Sequence, residues 1–197
     1  MDTESPDGAL VACVCQGDLD ALGVLYERYK SLVHRTALAI TGDPDVADDI
    51  LQEVFLRLYR YADTVDQTVD LGPWLYRVTT RLTYTWIRRM QCWAGRFQEI
   101  LDRWALVPGI RSGPERAVEQ SEQWRVLLAA IDALPTVQRV VVVLHYLENL
   151  STQEIAEILE APEGTVKSRL YYARAKLREA MLSQGYGPTI EIAYEFT

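Results

Sequence analysis

Placed at about 100° per residue, Thr165, Ser168, Arg169, Tyr172 and Lys176 fall together on one side of a helix. Short hydroxyls, an aromatic ring and cations, with no acid between Thr165 and Arg178, suit the base edges of a major groove and the phosphates on its rims. The plainer alternative, a solvated helix face, usually mixes both charge signs. A second constellation is Arg77, Arg81, Tyr84 and Arg88, which share one face of a helix beginning near Trp74. Interleaved arginines and aromatics can stack on unpaired bases and hold the backbone of a single strand, although a bundle can also carry a solvated arginine face. A third stripe is Asp45, Asp48, Asp49, Gln52 and the apolar Leu56, with Phe55 beside it. The helix macrodipole accounts for acids near a helix start but not for Leu56. An exposed leucine and phenylalanine ringed by polar groups point to a protein contact, though part of that face can be core.

Helices must position all three sets. Leu150 to Met181 reads as two helices joined by a tight turn, a helix-turn-helix. Ser151 and Glu154 form a capping box, and Ile155, Ile158 and Leu159 make one apolar face. Ala161-Pro162-Glu163-Gly164 breaks that run, so a second helix begins near Pro162 and buries Val166, Leu170, Ala173 and Leu177. Upstream, Leu19, Leu22, Leu25, Tyr26, Tyr29, Leu32, Val33 and Ile40 recur at helical spacing until Thr41-Gly42-Asp43-Pro44. A helix from Asp45 to Tyr61 buries Ala47, Ile50, Leu51, Val54 and Leu58. A polar loop follows to Gly72, and Pro73 opens a third long helix to about Met90 with Leu75, Val78, Leu82 and Trp86 on one face. The pattern weakens from Gln91 to Ser121, which reads as a linker with partial helix. Helices around Trp124 to Leu134 and Val137 to Leu147 lead into the helix-turn-helix. Val140 to Val143 is β-branched enough for a strand, but Leu144 and Leu147 continue the helical period. The expected fold is all-α, two small helical domains joined by a linker. The expected boundaries are an N-terminal extension at 1–18, a bundle at 19–96, a linker at 97–121, the helix-turn-helix domain at 122–183 and a tail at 184–197.

The 197 residues suffice for one medium domain or two small ones. No apolar run approaches the roughly 20 residues of a membrane span, and the N-terminus lacks a secretion pattern, so a cytoplasmic protein is expected. The net charge of −8 is segregated: Trp74 to Arg96 holds Arg77, Arg81, Arg88, Arg89 and Arg96 without an acid. Two cationic surfaces on an acidic chain imply weak DNA binding alone, and hence a second partner that delivers the protein to DNA. Cys13, Cys15 and Cys92 cannot pair fully, and with only His34 and His145 no spacing resembles a zinc site. No metal or cofactor is expected, and no catalytic constellation stands out.

Three segments together resemble the sigma-70 family of bacterial transcription initiation factors, specifically its extracytoplasmic-function group. They are ITGDPDVADDILQEVFLRLYR (Ile40 to Arg60), WLYRV (Trp74 to Val78) and LSTQEIAEILEAPEGTVKSRLYYARAKLRE (Leu150 to Glu179). The resemblance covers about Leu19 to Leu182. It implies that 19–96 is region two, which melts promoter DNA and holds the minus-ten element as a single strand. It likewise implies that 122–183 is region four, which reads the minus-thirty-five element as duplex. By the same resemblance, Asp48, Asp49, Gln52, Glu53, Phe55 and Leu56 dock on the β′ clamp helices of core RNA polymerase, and region four meets the β flap. Carried over position by position, Thr165, Lys167, Ser168, Arg169, Tyr171 and Tyr172 touch the upstream element, His145 adds a DNA-facing position, and Asp63 to Leu71 forms a pocket for a flipped base. The acidic linker would thread polymerase channels, and an anti-sigma factor is a further possible partner.

This chain departs from the family at Arg81, where an asparagine is common, and in its tail. There Ile190, Ile192, Tyr194 and Phe196 alternate against Glu191 and Glu195 in a strand pattern. The expected function is a sigma factor that directs polymerase to promoters and assists melting, without covalent chemistry of its own. A sigma-like decoy would not need the basic faces at Arg77, Arg88, Lys167 and Arg169. A stand-alone regulator would leave Asp48 to Leu56 and the Arg77 stripe without a role.

Overall fold

The structure, a computed structural model, describes residues 5–66, 68, 70–101 and 122–186, with side chains at 5–66, 68, 70–90 and 126–186. Among them are eight α-helices and no strand: α1 (Asp7–Cys15), α2 (Leu19–Thr41), α3 (Pro44–Tyr61), α4 (Gly72–Leu101), α5 (Glu122–Asp132), α6 (Thr136–Val142), α7 (Thr152–Leu159) and α8 (Glu163–Ser183). A 3₁₀ turn follows α3, and a π-helical turn at Val143–Leu147 follows α6. The described residues are all-α, as expected.

Local chemistry sets the boundaries. The Asp18 carboxylate accepts the Asp20 and Ala21 amides to start α2. Gly42, at φ 72°, ends α2 in a left-handed conformation that a side chain would strain. Asp43 then caps α3 through the Asp45 and Val46 amides, with Pro44 in the first turn. The β-branched run Val140 to Val143 is helical and buried, because packing outweighs its modest strand preference.

The first core joins Leu25, Val33 and Ala37 of α2 to Ala47, Ile50, Val54 and Leu58 of α3 and Leu75 of α4. It also takes Leu10, Val11 and Val14 from α1, each almost wholly buried. The stretch expected as an N-terminal extension thus contributes a helix to the bundle, anchored further by the Arg28–Asp7 ion pair. Helix α4 likewise runs past the expected end near Met90 to Leu101, so the expected linker start at residue 97 falls inside it. Residues 102–121 of that linker, residues 67 and 69 of the expected base pocket, and residues 187–197 of the tail lie outside the described residues. Buried Thr79, Thr80 and Thr83 satisfy their hydroxyls on carbonyls of α4 itself.

The second core gathers Val140 to Leu144, Ile155, Ile158, Val166, Leu170 and Ala173. Ile40 of α2 and Tyr76 of α4 belong to it, so the two domains are packed together through α2, α4, the π-helical turn and α7.

Candidate nucleic-acid interface

The helix-turn-helix is built as its sequence dictates. Ser151 Oγ accepts the Glu154 amide at 3.2 Å, and the Glu154 carboxylate accepts the Ser151 amide at 2.8 Å. The Ser151 hydroxyl and amide together hold the Glu154 carboxyl below its ordinary range. Thr152 Oγ1 donates to Glu163 at 2.6 Å and Lys167 lies 2.9 Å from the same carboxylate, tying the start of α7 to the start of α8. Those two contacts, Thr152 first, lower Glu163 in turn. Val166, Leu170, Ala173 and Leu177 are buried together, as the periodicity predicts, and Met181 extends the stripe.

The opposite side of α8 exposes Lys167, Ser168, Tyr171, Tyr172 and Lys176. Tyr171 and Tyr172 stand edge to face at 5.5 Å. Thr165 and Arg169 are half-buried, and Ser168 Oγ donates to the Thr165 carbonyl at 2.9 Å. His145 lies in the π-helical turn with Nδ1 2.8 Å from the Leu150 carbonyl. A carbonyl can only accept, so Nδ1 carries the proton there. Beside it, Arg174 Nε donates to the Tyr146 hydroxyl at 2.7 Å, bracing α8 on this turn.

The α4 stripe meets the helix-turn-helix. Arg81 Nη2 is 2.7 Å from Glu160, the residue that ends α7, and Arg77 Nη1 is 3.7 Å from the same carboxylate. Arg77 Nη2 also donates to the Glu157 carbonyl at 3.3 Å. Tyr84 packs against the second core, where burial pushes its hydroxyl up while nearby Arg169 pulls the other way. Arg88 is exposed. Three of the four predicted residues thus turn toward the helix-turn-helix domain in this arrangement.

Glu148, absent from the expected set, holds the arrangement together. Its side chain is 1% exposed and accepts from Arg35 Nε at 2.9 Å, Arg35 Nη2 at 2.5 Å, Thr36 Oγ1 at 3.1 Å and Tyr76 OH at 2.8 Å. Burial pushes the carboxyl up, but hydrogen bonds from Arg35, Tyr76 and Thr36 outweigh it and hold the group below its ordinary range. Burial and the Glu148 contact in turn push the Tyr76 hydroxyl up. Arg139 Nη1 adds a second tie, donating to the Ile40 carbonyl at 2.8 Å.

On α3, Asp45, Asp48, Asp49 and Gln52 are exposed and Leu56 is 47% exposed. Glu53 pairs with Arg57 at 2.7 Å, and His34 Nε2 lies 3.3 Å from Asp48. Phe55 is only 5% exposed and stands edge-on to Tyr26 at 5.0 Å. The expectation that it shares the open stripe is corrected: Phe55 sits four residues after Leu51, on the buried face. Next to it an apolar groove is lined by Leu19, Leu22, Val24, Tyr26 and Phe55, with Asp20 and Glu27 beside them. Leu19, the first of the apolar positions that recur at helical spacing, is 64% exposed at this groove.

The family models for Sigma-70 region 2 and Sigma-70 region 4 match residues 25–92 and 124–177. The chain is 34% identical over 173 residues to the ECF RNA polymerase sigma factor SigW of Bacillus subtilis, covering 85% of this chain and 92% of that one. It belongs to the ECF group of sigma-70 factors. This sigma factor is a transcription initiation factor that directs RNA polymerase to promoters. Its fold is that of CnrH, solved in complex with the cytosolic domain of CnrY (TM-score 0.63, 23% identity, 91% of this chain and 99% of that chain). It is also that of the sigma factor RpoE of Bartonella quintana, solved with the anti-sigma factor NepR (TM-score 0.58, 21% identity, 78% and 91%). Among the described residues of this sigma factor, no helix is long and apolar enough to cross a membrane.

Proposed function

We propose that this sigma factor divides its work among three faces. The exposed side of α8 reads the minus-thirty-five element: Thr165, Ser168 and Arg169 face base edges, Tyr171 and Tyr172 add apolar contact, and Lys167 and Lys176 hold phosphates. His145 supports this face from the π-helical turn. On α4, Arg77, Arg81, Tyr84 and Arg88 hold the melted minus-ten strand by stacking and charge. On α3, Asp48, Asp49, Gln52, Glu53 and Leu56 dock on the β′ clamp helices, with Phe55 supporting them from beneath, while region four meets the β flap. The protein acts in the cytoplasm, performs no covalent chemistry, and is held in reserve by an anti-sigma factor, as RpoE was found with NepR.

The observation that carries this reading is the exposed α8 side, with two tyrosines and basic residues and no acid from Thr165 to Arg178, inside a matched region four. Its test is transcription from a promoter library by core polymerase with and without the protein. Enrichment of a shared upstream and downstream element, lost in the Arg169→Ala and Arg77→Ala/Arg81→Ala proteins respectively, is the expected result. A library transcribed equally with and without the protein would overturn it.

A further inference from the structure

We propose that the packed arrangement of the two domains is an autoinhibited state in which Glu160 takes the place of strand phosphate on Arg77 and Arg81, with Glu148 as its anchor. This rests on the assignment of Arg77 and Arg81 to the melted strand.

Glu160 is unusual in its backbone before it is unusual in its contacts. It ends α7 at φ 50°, in the left-handed region where glycine is at ease and a glutamate is strained. The turn geometry calls for glycine or asparagine, yet an acid stands there and reaches across to region two. Its two carboxylate oxygens lie 2.7 Å from Arg81 Nη2 and 3.7 Å from Arg77 Nη1. An anionic oxygen at that distance from a guanidinium is what a phosphate would supply. The covering is mutual: Arg77 also takes the Glu157 carbonyl, and Tyr84 lies near Arg169. The strand-holding stripe therefore lies against the end of α7, with Tyr84 beside Arg169 of the duplex-reading helix.

The arrangement is also built to be undone. Glu160 and Arg81 are 56% and 59% exposed, so their pairing is solvated and weak, open to competition by polyanion. Arg77 Nε is buried without a hydrogen-bond partner, a cost that opening removes. The firm part is elsewhere, in the buried Glu148 with Arg35, Thr36 and Tyr76 and in the Arg139 contact with Ile40. None of these anchoring groups is proposed to read DNA. Glu148 thus sets how often the domains part, and Glu160 sets what is hidden while they are together.

The test uses the full chain without polymerase and a fluorescein-labelled single-stranded DNA 20-mer, read by anisotropy at fixed salt, with small-angle scattering on the same samples. The variants are Glu160→Gly, which also suits the left-handed turn, Glu148→Ala/Glu160→Gly, and that pair with Arg77→Ala/Arg81→Ala added. Asp20→Asn/Glu179→Gln, two exposed acids, controls for the change in net charge. The expected result is an affinity gain of about threefold for Glu160→Gly and tenfold or more for Glu148→Ala/Glu160→Gly. The double variant should also have a larger radius of gyration, and the gain should be absent in the charge control and abolished without Arg77 and Arg81. An unchanged radius in the double variant would overturn the anchor, and a larger radius with no gain beyond the control would overturn the inhibition. Promoter opening by core polymerase with the Arg77→Ala/Arg81→Ala protein separates the two levels. A loss of opening there, with no gain in the 20-mer assay, removes only the autoinhibition. No loss there removes the strand assignment as well.

Discussion

Truncating Glu148 to alanine tests whether the two domains are energetically one unit. The wild-type carboxylate accepts from three side chains in a nearly closed site. Net contributions of about 1.5–3 kcal/mol are typical for a hydrogen bond to a charged group, and removing one partner of a buried pair costs about 3–5 kcal/mol. Arg35 is half exposed and regains water on truncation, so its share lies at the low end. The Tyr76 hydroxyl sits on a residue that is 7% exposed and loses the acceptor shown for it. A total of about 3–4 kcal/mol follows, which is more than two decades in the docking equilibrium. With a urea dependence of about 2 kcal/mol per molar, the unfolding midpoint should fall by about 1.5–2 M. The assay is urea unfolding by far-ultraviolet circular dichroism, repeated as a cycle with Arg35→Ala. Because the residues share one network, the double variant should fall short of additivity by at least about 1 kcal/mol. A midpoint shift below about 0.3 M, or additivity within about 0.5 kcal/mol, would refute the coupling.

The Glu148 network also predicts a pH dependence: its folded-state pKa is depressed, so its stabilisation is full above the ordinary carboxylate range and is lost as pH falls through the folded value. Urea midpoints of wild type should drop more steeply on acidification than those of Glu148→Gln. Parallel curves would remove Glu148 as the source. On α3, Phe55→Ala should cost about 3–5 kcal/mol of stability, whereas Leu56→Ala should change it by less than about 1 kcal/mol and still weaken core-polymerase binding. Equal stability losses would show that Leu56 is core. On α8, Arg169→Ala should lower transcription according to the upstream sequence, since arginine can read guanine bidentately, while Lys176→Ala lowers it evenly. An even loss for both in a promoter-variant series would take Arg169 out of the readout.

What could be read from the sequence was whatever short-range patterning encodes. The capping box at Ser151 and Glu154, the glycine stop at Gly42 and the buried stripe of α8 all depend on residues within about four positions of one another. Helix α1 escaped because DGALVACVC is apolar nearly all round, so no face stands out from periodicity. The far end of helix α4 is not legible because its apolar pattern weakens after Met90, although no proline intervenes before Pro108. Phe55 differs from the exposed Leu56 by a single position on a narrow stripe, where 100° of rotation separates solvent from core.

Glu148 had no such signal. Its partners are 113, 112 and 72 positions away, and nothing local distinguishes it from the other acids of an acidic chain. The same holds for Glu160, whose value lies in reaching Arg81 across the domain boundary. Among the acids of this chain of net charge −8, two groups stand out among the described residues. One is the exposed acidic stripe of α3, segregated from the basic faces as the sequence pattern implies. The other is a small set of region-four acids set against region-two cations, which sequence order separates and the fold brings together. Only the second can regulate DNA binding locally, because a carboxylate within 3 Å of a guanidinium competes directly for it, whereas charges beyond about 8 Å are screened at physiological salt. That difference is why two substitutions at Glu148 and Glu160 should matter more for strand binding than two elsewhere that change the net charge equally.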